Sequence, residues 1–262
     1  MILLPLFSFT PTSAHELWIE PIRFETQVSD ELSATLKNGQ NFAGIDLAWF
    51  DSRQERFDWS MGAVTTAFEG RAGDVPTVTM APETDGLLTL VFQSTPSTIT
   101  YRDWDSFARF VEHKDLYRGA ELHAERGLPE SGFTEAYIRF SKSVISVGSG
   151  QGEDQRFGLE HEMVLLTNPY SATTDTVMVQ LFYEGYPNMD AQIEIFDRAT
   201  DGEITILTTR TDSNGIAEIP VKAGHDYMLD SVMLREPSPE LAAETGAVWE
   251  TLWANITFAV PE

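Results

Sequence analysis

Five histidines, no cysteine and a large excess of carboxylates limit the chemistry this chain can carry. Without thiols there is no disulfide, no thiolate or iron–sulfur metal site and no thiol nucleophile. Any metal must be held by His, carboxylate, Met or backbone groups. His15 is singled out by its position. The apolar run MILLPLFSF is followed by TPTSA, with Thr12 and Ala14 at the small-residue positions of a signal-peptidase site. A run this short cannot cross a bilayer as a helix. Cleavage after Ala14 makes His15 the first residue, which puts a free α-amine and an imidazole Nδ1 on one residue, a chelating pair for a divalent metal. One further imidazole would complete a three-nitrogen set of the histidine-brace type, suited to Cu(II) and Ni(II). An α-amine has a reference pKa of about 7.7–8.0, so metal can displace its proton near neutral pH. No Lys or Arg precedes Arg23, so the true start is expected upstream of Met1.

The other histidines are weighed as partners of His15. His113 and His123 lie on a helical stretch beside Glu112 and Glu121, where a His is more often simply solvated. His161 stands between Glu160 and Glu162, and strand alternation sends it to the face opposite both acids. His225, after Gly224, reads as a turn residue. The candidate metal ligands are therefore His15, His161, His113, His123 and Glu16. No H-x-x-x-H or H-E-x-x-H pair is present, which removes a helix-borne zinc protease site. Paired carboxylates for glycoside hydrolysis cannot be picked out among 41 acids. The tryptophans could stack on a sugar, but aromatics in strands are more often core.

The elements that must position these residues are mainly β. Short runs rich in β-branched and aromatic residues, such as LWIEPIRFE, GLLTLVFQ, TVMVQLFYEG, AQIEIFD and WANITFAV, are punctuated by Gly, Asn, Asp and Pro. This pattern predicts two antiparallel β-sandwich domains of immunoglobulin- or transthyretin-like type, with a short helical insertion in the first. The insertion covers 103–126. There Trp104, Phe107, Phe110 and Val111 fall at helical spacing, Asp103 caps the start, and Gly127 and Pro129 stop a second helical piece. Ser131–Lys142 adds a further turn or two of helix before the strand VISVG. The first domain spans 15–148, a Gly-rich polar linker 149–158, and the second domain 159–262. Asp212, Asn214 and Gly215 make a tight hairpin turn between two alternating strands. No phosphate-binding glycine loop or G-x-S-x-G elbow occurs.

With 262 residues and 42% hydrophobic content the chain can build one or two real cores. A formal charge of −24 would repel nucleic acid and anionic lipid. HELWIEP at 15–21, YRDWDSFARFVEHKDL from 101, EAYIRFSKSVISVG at 135–148, GLEHEMVLLTNPY at 158–170, TDSNGIAEIPV at 211–221 and VWETLWANITF at 248–258 together resemble a periplasmic domain-of-unknown-function family, one often labelled as a nickel-uptake accessory component. The resemblance runs from His15 to Phe258. It implies an exported β-sandwich associated, in some members, with nickel or cobalt uptake. Carried over, the family's start maps onto His15, Glu16, Trp18 and Pro21. The chain departs from the family at His161, where an apolar residue is expected, and near the VML strand, where some members carry a His and this chain has Val232 or Met233. The expectation is a non-enzymatic periplasmic protein that binds or delivers Ni, Co or Cu, works with a membrane transporter, and inserts into no membrane itself. The alternatives are a structural or carbohydrate-binding sandwich without metal, and a copper-dependent oxidative enzyme using His15 in a brace.

Overall fold

The computed structural model describes residues 15–171 and 175–262, and the expected signal segment 1–14 lies outside them. Alternating apolar residues build strands that each bury one face. In chain order these are β1 (Glu16–Pro21), β2 (Glu25–Thr26), β3 (Leu32–Gln40), β4 (Ala43–Leu47), β5 (Gln54–Met61), β6 (Val64–Ala67), β7 (Val78–Met80), β8 (Gly86–Ser94) and β9 (Ser97–Tyr101). Two helices follow, α1 (Trp104–His113) and α2 (Gly119–Glu125), then β10 (Phe133–Val147), β11 (His161–Leu165), β12 (Thr176–Tyr183), β13 (Tyr186–Pro187) and β14 (Gln192–Arg198). The chain closes with β15 (Ile204–Arg210), β16 (Ile216–Pro220), β17 (Asp226–Arg235), α3 (Pro239–Thr245) and β18 (Ala247–Ala259).

The strands form three sheets. A central sheet runs β15-β14-β17-β18-β10-β8-β5-β6, with β2 and β9 also paired to β10. A second sheet joins β1, β3 and β4, with β7 on β3, and a third joins β11, β12 and β13, with β16 on β12. The two smaller sheets cover opposite faces of the central one. Leu17, Ile19, Leu32 and Leu36 of the second sheet pack on Phe57, Leu88, Leu90 and Ile145. Met163, Val177, Val179, Leu181 and Ile219 of the third pack on Ile193, Ile195, Leu229, Ile256 and Phe258. The period of two sends alternate residues of β14, β17 and β18 to different covers: Phe196 and Met228 meet Trp18 and Phe42 of the second sheet. The result is a mainly β molecule of stacked sandwiches. Phe107, Phe110 and Val111 of α1 close one end over Tyr101, Phe133, Trp249 and Trp253.

Four features depart from the sequence expectation or refine it. β10 pairs with β18 in parallel, Tyr137 opposite Thr251 and Ser141 opposite Asn255, so the sheet is not purely antiparallel. A parallel pair needs a long crossover, and the intervening strands β11 to β17 supply it. The helical turns expected in Ser131–Lys142 are instead the first two thirds of β10, because this stretch finds partners on both edges, β9 and β18. The Asp212–Gly215 turn has the expected chemistry: the Asp212 carboxylate accepts the Asn214 and Ile216 amides and Gly215 has φ +71°. It is an arch between sheets, however, since β15 pairs with β14 while β16 pairs with β12. Residues 149–158 run over the central sheet and are tied to it. The Lys142 ammonium donates to Asp154 Oδ2 at 2.7 Å and to the Gln155 and Met163 carbonyls at 3.0 Å.

Candidate functional site

Glu194 on β14 and Asp230 on β17 are cross-strand partners, and their place in the strand period turns both toward β1. Glu16, the first residue of β1, meets them there. Carboxylates opposed across a strand pair repel, and burial removes the water that would screen them. Lys114, which caps the C-terminus of α1, answers this charge. Its Nζ donates to Glu16 Oε1 and Asp230 Oδ2, both at 3.0 Å, and to Glu194 Oε2. The same ammonium lies 4.8 Å from the centre of the Trp253 ring, a cation–π contact. His113, one residue earlier, places Nε2 3.0 Å from Glu194 Oε1. Local sequence explains the delivery: Asp103 accepts the Ser106 amide at 2.8 Å and starts α1, and the apolar stripe of α1 docks so that its last turn overhangs β14 and β17.

The electrostatics of this cluster are strongly coupled. Burial alone would lower the Lys114 pKa, but the facing carboxylates, Asp230 foremost, outweigh it and hold the ammonium above its ordinary value. Asp230 is pushed up to about 7, first by burial and then by Glu16 and Glu194, with Lys114 opposing. Burial would also raise Glu194, yet its bonds to His113 and Lys114 keep it below the usual carboxylate range. His113 is raised, chiefly by its hydrogen bond to Glu194. Glu16, Glu194 and Asp230 offer oxygens within 4.8 Å of one another, a spacing that suits a cation, and Glu16 Oε2 and Asp230 Oδ1 are buried without a partner. The ammonium of Lys114 already stands among them. The donor set therefore fits an internal ion cluster, and a divalent ion there would have to displace a buried lysine.

The other histidines fall into separate surroundings. His123 is enclosed by Trp104, Phe107 and Phe133; its Nδ1 accepts the Trp249 indole N–H at 3.0 Å and its Nε2 donates to the Pro129 carbonyl at 3.0 Å. His161 is wholly buried, its Nδ1 3.1 Å from the Leu252 carbonyl and its Nε2 without a partner, and burial lowers its pKa to about 4. Its neighbours point the other way, Glu160 to Arg235 and Glu162 to the amides of Phe157, Gly158 and Leu159. His225 binds the Asp197 carboxylate. His15 differs from all four. It is partly exposed, its carbonyl accepts Arg139 Nη2 at 2.6 Å, and its imidazole makes no hydrogen bond, ion pair or ring contact among the described residues. Of the five candidate ligands, only Glu16 and His113 are brought into one cluster, and both are engaged by it. His15 stands next to that cluster along the chain but outside its bonds.

Residues 12–234 match the family model described as a domain of unknown function (DUF4198). The chain belongs to this family. A comparison of this DUF4198 chain with curated proteins gave no match. Among solved structures it is similar to the D0-D1 domain of intimin, at 8% identity and a TM-score of 0.22, over 92% of this chain and 97% of that one. No helix among the described residues is long and apolar enough to cross a membrane.

Lys114, Glu194 and Asp230 were not singled out in the sequence, although a signal exists. Asp230 sits inside YMLDSVML and Glu194 inside AQIEIF, acids within apolar runs that must be buried on both faces. A buried acid requires a partner, and the partner was set by the docking of α1, which no local pattern encodes.

Proposed function

We propose that this chain is an exported, non-enzymatic protein that binds a divalent metal at its mature amino terminus and passes it on, with nickel, cobalt or copper as the ion. The observation that carries the reading is the free imidazole of His15, at the one position where signal cleavage would add an α-amine. The residue is held from both sides: Arg139 grips its carbonyl, and Lys114 fixes the following Glu16 side chain. His15 would supply imidazole and amine nitrogens, ligands that suit Ni(II), Co(II) and Cu(II). Glu16 is committed to Lys114, so the remaining positions on the ion fall to water or to a partner. A site built from one residue leaves the ion open to exchange, as delivery to a membrane transporter requires. The oxidative-enzyme alternative needs a second imidazole beside the amine, and the engagement of His113, His123, His161 and His225 favours the binding reading over it. The acidic surface would raise the local cation concentration, an effect that fades with salt.

The test is titration of the processed protein, beginning at His15, with Ni(II), Co(II) and Cu(II), beside His15→Ala. The variant keeps the amine and the fold but loses the imidazole. Loss of about tenfold or more in affinity is expected for the preferred ion; equal binding by both proteins would remove His15 as a ligand.

A further inference from the structure

A cleft of about 280 Å³ opens where the second sheet and the central sheet diverge, between β1 and β3 on one side and the ends of β8 and β10 on the other. Its size is at the small end for ligand sites. Its walls carry Trp49, Phe50 and Tyr137 together with two guanidinium groups, Arg53 and Arg139, and no carboxylate. In a chain with 41 acids and 17 lysines and arginines, such a lining is unexpected. Neither arginine forms an ion pair among the described residues. Arg53 is exposed and lies 5.0 Å over the Phe50 ring. Arg139 is only 7% exposed; its Nη2 is spent on the His15 carbonyl, its plane lies 4.3 Å from the Tyr137 ring centre, and its Nε is buried with no partner. The acid whose charge it feels, Glu135, is taken up by Tyr101 and Thr251. Arg139 thus has a nearby negative charge but no direct ion pair, and a buried guanidinium whose N–H groups are not all paired gains from an anion beside it.

We propose that this cleft binds a small organic carboxylate with a flat apolar body, Arg139 and Arg53 holding the anion and Trp49, Phe50 and Tyr137 packing the body. Arginine suits planar carboxylates through its fork of N–H donors, and Nη1 of Arg139, with the exposed guanidinium of Arg53, makes no hydrogen bond among the described residues. Trp49 is set for this role. It stacks on Phe57 at 5.4 Å, its indole N–H donates to Asp51 at 2.7 Å, and Gly70 backs it so closely that a Cβ there would lie 2.3 Å from the ring. A side chain at position 70 would therefore displace the indole. The cleft shares Arg139 with the start of β1, but it needs no metal and does not rest on the metal reading.

The experiment is calorimetric titration of the full processed chain, in EDTA, with benzoate, with its neutral isostere benzamide and with inorganic sulfate. Saturable benzoate binding is expected, weakened about tenfold or more by Arg53→Gln and by the change to benzamide. Arg53 is exposed, so that variant keeps the fold even if Arg139→Met does not. Gly70→Ala, which changes no charge, should also weaken benzoate by displacing Trp49 from its place in the cleft wall. Benzamide binding as well as benzoate would overturn the anion role, and sulfate binding as tightly would overturn the role of the apolar body. Absence of saturation by benzoate up to about 10 mM would overturn the site. EDTA removes metal, so these outcomes are separate from any outcome at His15.

Discussion

Lys114 is the residue whose removal should be felt most. It is 4% exposed and offsets three buried carboxylates. Lys114→Met keeps the packing on Trp253 but strands the acids, and should destabilise the fold by about 3–5 kcal/mol in urea or guanidinium unfolding. Asp230 gives a pH signature. Burial pushes its folded pKa up to about 7 from an ordinary 3.8, so its contribution is complete below pH 3.8 and is lost as pH rises through 7. Asp230→Asn mimics the protonated acid and should flatten that fall, by about 1 kcal/mol per pH unit within the window. His161 acts in the opposite sense. Burial lowers it from 6.5 to about 4, so stability is lost as pH falls from 6.5 toward 4 while the unfolded chain takes up the proton. His161→Gln should lessen that acid loss, measured by unfolding midpoints from pH 4 to pH 7. Unchanged pH profiles in the two variants would show that neither group titrates as its surroundings require.

At the scale of elements, the buried ions act as fasteners. Lys142 on β10 holds residues 154–163 through Asp154 and two carbonyls, and Glu162 beside it gathers the Phe157, Gly158 and Leu159 amides. Lys142→Met should raise amide exchange and proteolytic cutting within 151–159 before the rest of the chain loosens; uniform protection across that segment would contradict the role. Local signals were readable where local physics decides. The Asp103 cap, the α1 stripe and the Asp212–Gly215 turn all follow from neighbours in sequence. What depends on distant partners was not. Residues 131–142 carry charged side chains at Glu135, Arg139 and Lys142 that break strand alternation, and they form a strand because β9 and β18 flank them. Each of those charges is buried and answered from elsewhere: Tyr101 and Thr251 for Glu135, the His15 carbonyl for Arg139, Asp154 for Lys142. The candidate site followed the same division. His15 drew notice from the apolar run and small residues ahead of it, whereas the capture of Glu16 by Lys114 depended on strands and a helix meeting.

For the whole molecule, ten strands in one sheet, covered on both faces, tie the first and last strands together: Thr257 of β18 donates to the Ile19 carbonyl of β1 at 2.7 Å. Around this sits a net charge of −24. Like charges on a compact body repel, and the Debye length shrinks from about 30 Å at 0.01 M salt to about 8 Å at 0.15 M, so thermal stability should rise with salt over that range. A midpoint that falls would mean that surface ion pairs outweigh the repulsion. The architecture also holds the start of β1 in place, since Arg139 and Lys114 reach it from β10 and α1. The central claim is the proposal that His15, once freed as an amino terminus, is a metal ligand. It is tested most directly by titrating Ni(II), Co(II) and Cu(II) into the protein that begins at His15 and into the same protein with one extra residue, Met, ahead of it. The extension keeps the imidazole and moves the amine. Tight binding of at least one ion by the first form, lost in the second, is the predicted result; equal binding by both, or none by the form beginning at His15, would contradict it.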